Sequence, residues 1–367
     1  MRRMLAAMAL VALAACGEGP TAPGTPRVGS IAAGGNSSCA LLQDGSLQCW
    51  GTIDTSTVPE PAPGALEVRT VALGNGPMDA ACVTSAGAAT YCWGDYAVNW
   101  EQYTSYGAAP VLLQDSLRFE HLAMGDGHAC GLADGSAYCW GSYAGGKRGT
   151  GEPIAPPADG NTLLNRVAGG LSFVDLTASR THTCGLTAAG EVFCWGLGPW
   201  LGDTGGPRYS TMDECSFYQF ETTCALTPVK VTALSGVRAI SAGSFGSCAL
   251  GQDGAVRCWG ADDGVSPPAT GLPTAVPLPE AATQVSVGGR ACALGASGTA
   301  YCWARGGSPE TVPTDLRFES LSAGEAHTCG VSVEQVAYCW GENRSGQLGD
   351  GTVTASEQPV EVQLQPS

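Results

Sequence analysis

The sequence predicts an all-β fold, a seven-bladed β-propeller with a disulfide inside each blade hairpin, and three observations carry that expectation. A Cys to Cys-Trp-Gly pattern recurs seven times, the units are about 50 residues long, and the composition is turn-rich with no helical period of useful length. The copies run Cys39 to Cys49-Trp50-Gly51, Cys82 to Cys92-Trp93-Gly94, Cys130 to Cys139-Trp140-Gly141 and Cys184 to Cys194-Trp195-Gly196. They continue with Cys248 to Cys258-Trp259-Gly260, Cys292 to Cys302-Trp303-Ala304 and Cys329 to Cys339-Trp340-Gly341. Seven of nine Trp and fourteen of seventeen Cys fall in this pattern, so chance repetition is excluded. Each copy is preceded by an apolar stretch ending in Gly, as in Ile31-Ala32-Ala33-Gly34 and Leu321-Ser322-Ala323-Gly324. The unit therefore reads as strand, Gly bend, strand, tight turn, strand and variable loop, the content of a propeller blade. One blade cannot bury both its faces, so the ring has to close for any blade to be stable.

Cysteine spacing fixes the hairpins. Pairing Cys130 with Cys139 leaves Asp134-Gly135 as a two-residue loop of the type I′ kind. In copies one, four, five and six the same pairing leaves three-residue loops ending in Gly45, Gly190, Gly254 and Gly298, where a type I turn with a bulge needs a positive φ. Counting rungs out from either turn puts each cysteine pair at a non-hydrogen-bonded position, whose close side chains suit a cross-strand bridge. Copy two, with Gly87 in mid-loop, and copy seven, with Gln335 last, have less certain turns. Zinc would call for ligands two to four residues apart, and the chain has no Cys-x-x-Cys. Cys215 and Cys224 stand outside the register and are expected to staple an extra hairpin in the fourth loop, which leaves Cys16 alone.

The chain opens with Arg2 and Arg3, an apolar run from Met4 to Ala15, and Leu13-Ala14-Ala15-Cys16. Twelve apolar residues are too few for a membrane span, which needs about 20. The order is that of an export signal, residues 1–15, and the cysteine after Leu-Ala-Ala resembles the lipobox of bacterial lipoproteins. The resemblance implies lipidation at Cys16, followed by a Pro-rich tether over 16–27 and the propeller over 28–367. Gly17 rather than Asp follows the cysteine, which points to the outer membrane or cell surface rather than the inner membrane. Removing the leader leaves 15 basic against 33 acidic residues, a charge of −18 that disfavours nucleic acid and anionic headgroups.

The best copy, Cys339-Trp340-Gly341-Glu342-Asn343-Arg344-Ser345-Gly346-Gln347-Leu348-Gly349-Asp350-Gly351-Thr352, resembles the regulator of chromosome condensation repeat family over roughly residues 28–364. Its Gly-Gln-Leu-Gly element is intact in copy seven alone and echoed by Leu201-Gly202-Asp203. The resemblance implies seven blades, with Val360-Glu361-Val362 and the Val28 to Ile31 segment sharing one blade to clasp the ring. It also raises the founder's nucleotide exchange and chromatin docking; export disfavours both, and the strong negative charge disfavours the second.

His128, His182 and His327 each lie two residues before the first Cys of their copy, and repetition in register marks them as structural, bonding a neighbouring turn or blade. No catalytic or phosphate-binding motif is present, so no enzyme, metal or cofactor is expected. First-cysteine spacings of 43, 48, 54, 64, 44 and 37 place the long loops after copies two, three and four, on one sector of one face. Those loops hold Tyr96, Trp100, Tyr103, Tyr106, Tyr143, Trp200, Tyr209, Phe217, Tyr218 and Phe220. Tyr and Trp on a stiff scaffold are interface anchors, so the expected function is a monomeric module binding a protein or glycan. A structural spacer at the cell surface is the alternative; hydrolase chemistry is weaker still.

Overall fold

The computed structural model describes residues 26–366 apart from 65, 77–78, 95–108, 115, 143, 152–163, 203–222, 245, 261–270 and 305–306. Seven four-stranded antiparallel sheets follow one another along the chain. Blade 1 runs from strand Val28–Gly34 to strand Ser56–Pro61, blade 2 from Val68–Leu73 to Val111–Gln114, and blade 3 from His121–Met124 to Asn165–Arg166. Blade 4 runs from Asp175–Ala178 to Cys224–Lys230, blade 5 from Val237–Ala242 to Thr274–Ala275, blade 6 from Ala282–Val287 to Glu310–Thr311, and blade 7 from Phe318–Ala323 to Ser356–Glu361. First strands of consecutive blades touch all round the ring, including blade 1 against blade 7, so the first strand is innermost. The apolar core is correspondingly a series of seams between blades, such as Trp259 of blade 5 on Leu201 and Val231 of blade 4.

Each hairpin has the register its cysteines require. Cys39 opposes Cys49 and Cys184 opposes Cys194, and the five other pairs of the pattern follow suit. All seven pairs are bridged, with Cα atoms 4.0–4.1 Å apart, the close rung of an antiparallel ladder. Asp134 and Gly135 both have positive φ, 48° and 72°, as a type I′ turn demands. Gly45, Gly190, Gly254 and Gly298 sit at φ between 75° and 86°; Ala88 and Gln335 hold the same place at 67° and 66°. The two uncertain turns thus keep the common geometry without its glycine. Cys224 is disulfide-bonded, while Cys215 lies outside the described residues.

The expectation of a blade shared by the two chain ends is overturned. The Val28–Gly34 strand pairs with blade 1, and Ser356–Glu361 pairs with blade 7. Every blade is one uninterrupted piece of chain, because a fourth strand is already supplied by Ser56–Pro61 in blade 1. The ring closes instead across the seam. Val28 N donates to Gln335 O, Ala33 N to Ser322 Oγ, and Gln48 exchanges two hydrogen bonds with the backbone of Gln365. Val362 and Leu364 add an apolar contact to Val28, Leu42 and Trp50.

Candidate functional site

Antiparallel order divides the ring into two ends. The turns joining first to second strands share one end with the loops joining third to fourth strands, here the loop face. The hairpin turns joining second to third strands share the other, the turn face, with the links between blades.

At the loop face three seams carry the same polar clamp. His327 Nε2 lies 2.7 Å from Ser38 Oγ of blade 1, and Ser38 Oγ donates to Gln347 O, which also accepts the Trp50 indole N–H at 2.8 Å. His128 Nε2, Thr183 Oγ1, Lys147 O and the Trp195 indole repeat this between blades 3 and 4. His182 Nε2 meets Ser247 Oγ at 2.6 Å between blades 4 and 5, where Trp259 donates to Trp200 O. Since the Ser38 and Thr183 protons go to carbonyls, His327 and His128 donate through Nε2–H and are neutral. Burial pushes all three imidazoles down, His182 to about 3, His327 to about 4 and His128 well below the usual value. The structural reading of these histidines holds. The indole nitrogens of Trp93, Trp140 and Trp303 are buried with no partner among the described residues.

The clamp reveals a repeat element that sequence reading passed over. Gly146-Lys147-Arg148-Gly149 of blade 3 does what Gly346-Gln347-Leu348-Gly349 does in blade 7, although only the glycines agree. Lys147 is nearly fully buried, its ammonium donating to Asp126 O at 3.0 Å and Arg180 O at 3.4 Å. Desolvation lowers it to about 8, against the pull of Asp126. Asp126 is itself raised by burial, offset in part by Lys147 and by Arg180 at 3.3 Å.

The first-to-second-strand turns close the axis. Glu325 N donates to Gly35 O, Gly289 N to Gly324 O, Ser244 N to Gly288 O and Asp126 N to Ser179 O, each bond crossing to the next blade. Asn75 of blade 2 reaches across to Ala242 O and Val287 O of blades 5 and 6, and Ser244 Oγ donates to the Glu325 carboxylate. Deeper in, the open edge of the innermost strand in blades 1, 5, 6 and 7 is met by a side chain of the preceding blade. Thr177, Ser241 and Ser286 accept from Ala242 N, Val287 N and Ala323 N, and Gln284 pairs with both N and O of Leu321. Backbone groups that would otherwise be unpaired are thereby satisfied.

Of the expected interface aromatics, Tyr96, Trp100, Tyr103, Tyr106, Tyr143, Tyr209, Phe217, Tyr218 and Phe220 lie outside the described residues, as does Cys16. Trp200 is described and is half-buried rather than presented to solvent. It ends a short 3-10 turn, Gly198–Trp200, and packs on Leu197, Cys224 and Leu226. Among the described residues no group of three or more His, Cys, Asp or Glu converges as a metal site, and no helix is long and apolar enough to cross a membrane.

Residues 29–52, 173–198, 237–263 and 318–347 match the model of the Regulator of chromosome condensation (RCC1) repeat. The chain thus carries regulator of chromosome condensation repeats in blades 1, 4, 5 and 7. The same repeats bring similarity to the mouse E3 ubiquitin-protein ligase HERC2, 28% identical over 270 residues, covering 64% of this chain and 5% of the ligase. The chain therefore spans about a twentieth of that relative's length. The ultraviolet-B receptor UVR8 of Arabidopsis thaliana is 24% identical, covering 88% of this chain and 78% of the receptor. Among solved structures, human WBSCR16 superposes with a TM-score of 0.69 at 17% identity, covering 84% of each chain. Prp20p from Saccharomyces cerevisiae, described with its binding properties to Gsp1p and histones, gives 0.54 at 18% identity, covering 91% of this chain and 76% of that one. These two likenesses bear on the fold. Propellers built of regulator of chromosome condensation repeats are protein-interaction modules in homologues and mostly non-catalytic.

Proposed function

We propose that this protein is an exported, lipid-anchored propeller that binds a protein partner on its loop face, outside the membrane. One observation carries the reading: the ring is held rigid by repeated clamps, while nearly all variation in unit length enters after the third strand, at that one face. A stiff frame with divergent loops on one side is the arrangement of a binding scaffold. Direction agrees. Val28 enters the ring at the turn face, bonded to Gln335 O, with Arg27 O accepting from Gln43 N. A tether running back to an acylated Cys16 would hold the turn face toward the bilayer and aim the loops outward.

Two experiments test this. Palmitate labelling of the expressed chain should be lost in Cys16→Ser, with the protein moving from the membrane to the soluble fraction. Replacing residues 95–108 and 203–213, which spares Cys215 and its expected bridge to Cys224, with short Gly-Asp-Gly links should abolish capture of an envelope protein by the immobilised propeller while its melting temperature stays within a few degrees. Equal capture by the shortened variant rejects the loop face as the binding site.

A further inference from the structure

The links that leave the fourth strand share one hydrogen bond, from a backbone N to the carbonyl of a residue opening the third strand. Val167, Val231, Val276, Val312 and Val362 make it in blades 3 to 7, donating to Ala137, Val192, Val256, Ala300 and Ala337. In each case the valine side chain fills the seam to the next blade. In blade 1 the same bond, to Leu47 O, is made by Ala62. The seam between blades 1 and 2 is accordingly underfilled, and a cavity of about 340 Å³ opens there on the turn face, lined by Leu47, Ala62, Leu66, Val68, Val83 and Trp93.

The wall of this cavity differs from that of the sister blades. Val68, Val83 and Trp93 hold the places that Phe173, Gly185 and Trp195 hold in blade 4, where the phenyl ring lies over the glycine and 5.9 Å from the indole. Blades 3 and 7 repeat this with Phe119 and Phe318, at 5.8 and 5.5 Å. In blade 2 Val83 takes the side-chain volume of that ring, so the wall of the cavity is made by Val83 and Trp93 rather than by a phenyl group. The carboxylates of Asp44 and Glu67 also line the cavity, and no Lys, Arg or His does. An apolar recess of this size with few polar groups is a small-molecule site by its dimensions, and its charge favours a cation.

We propose that the seam between blades 1 and 2 binds a small arylalkyl cation, its ring against Val83 and Trp93 and its ammonium toward Asp44 and Glu67. The site is separate from the loop face and does not depend on it. Saturation-transfer NMR of the full chain with 2-phenylethylamine tests it. The expected result is millimolar or tighter binding, weakened at least tenfold by Ala62→Leu and severalfold when uncharged 2-phenylethanol replaces the amine. An aryl-azide amine probe, photolysed on the wild-type chain, should label peptides containing Leu47, Leu66 or Val83, which keeps the test independent of how the leucine variant folds. Absence of binding, undiminished binding to Ala62→Leu, equal binding of the alcohol, or labelling confined to other blades overturns the proposal.

Discussion

His327 Nε2 and Ser38 Oγ, 289 positions apart in sequence, meet at 2.7 Å across the seam that closes the ring. The imidazole there is neutral, because the site is fully buried and burial pushes His327 down to about 4.

That makes closure sensitive to acid. An imidazole whose value is lower in the folded chain takes up protons preferentially when unfolded, so its contribution is intact above about 6.5 and declines as pH falls toward 4. Asp54, raised to about 6 mainly by burial, acts in the opposite sense over the same window and obscures the total. The comparison of wild type with His327→Gln, whose amide can still donate to Ser38, removes that background. Between pH 6.5 and 4 the wild type should lose about 3 kcal/mol relative to the variant in urea unfolding. A constant difference would mean that the ring at 327 is protonated in the fold.

Phe173 and Gly185 form a matched pair. A Cβ on Gly185 would stand 2.5 Å from the phenyl ring, and Gly131 and Gly330 face Phe119 and Phe318 in the same way. Blades with Val or Ala at the first position carry Ala or Val at the second, as Val237 with Ala249. Gly185→Ala should cost about 2 kcal/mol by overpacking. Combined with Phe173→Val it should cost less than the sum of the single changes by about 1 kcal/mol or more, read from denaturant midpoints in a double-mutant cycle.

Ala88 and Gln335 carry a left-handed backbone that four sister turns give to glycine. Ala88→Gly and Gln335→Gly should each stabilise by about 0.5–1 kcal/mol, the relieved Cβ strain outweighing the added freedom of the unfolded chain. Thermal melts under matched conditions decide it, and a loss of stability on both changes would show those turns to be held by their side chains.

Thirteen of the fourteen hairpin cysteines are buried, and Cys302 is the partly exposed one. Limited reduction should open Cys292–Cys302 before any other hairpin bridge, since thiol exchange needs access to a sulfur. Differential alkylation followed by peptide mass spectrometry gives the order. Each ten-residue loop is worth roughly 2–3 kcal/mol, so loss of one bridge should weaken the fold without unfolding it.

The hairpins were legible because turn chemistry is local: Asp134-Gly135 and the cysteine spacing specify register with no knowledge of the neighbours. What escaped depends on what one blade meets in the next. Gly146 and Gly149 keep a backbone shape whose product is a carbonyl aimed at Trp195, and Lys147 in the place of Gln347 hides the likeness. A signal was nevertheless present. His128, His182 and His327 are each followed, one copy later, by Thr183, Ser247 or Ser38 just before the first cysteine, whereas the copies after Ser37, Ala80 and Gly246 carry Ala81, Ala129 and Ala291 there. The closure of the ring is not legible in the motif, because the shared blade rests on the family resemblance alone, whereas the Ser56–Pro61 strand gives blade 1 a fourth strand from its own unit.

Contiguous blades leave the chain ends at one seam among seven. New termini cut into any link between blades, with the old ones fused, would preserve all seven sheets and all seven hairpin bridges. Such a circular permutant would need only one new joint, between Gln365 and Pro26, whose flanking strands already lie side by side. The same modularity means that duplication or loss of a single unit would split no sheet.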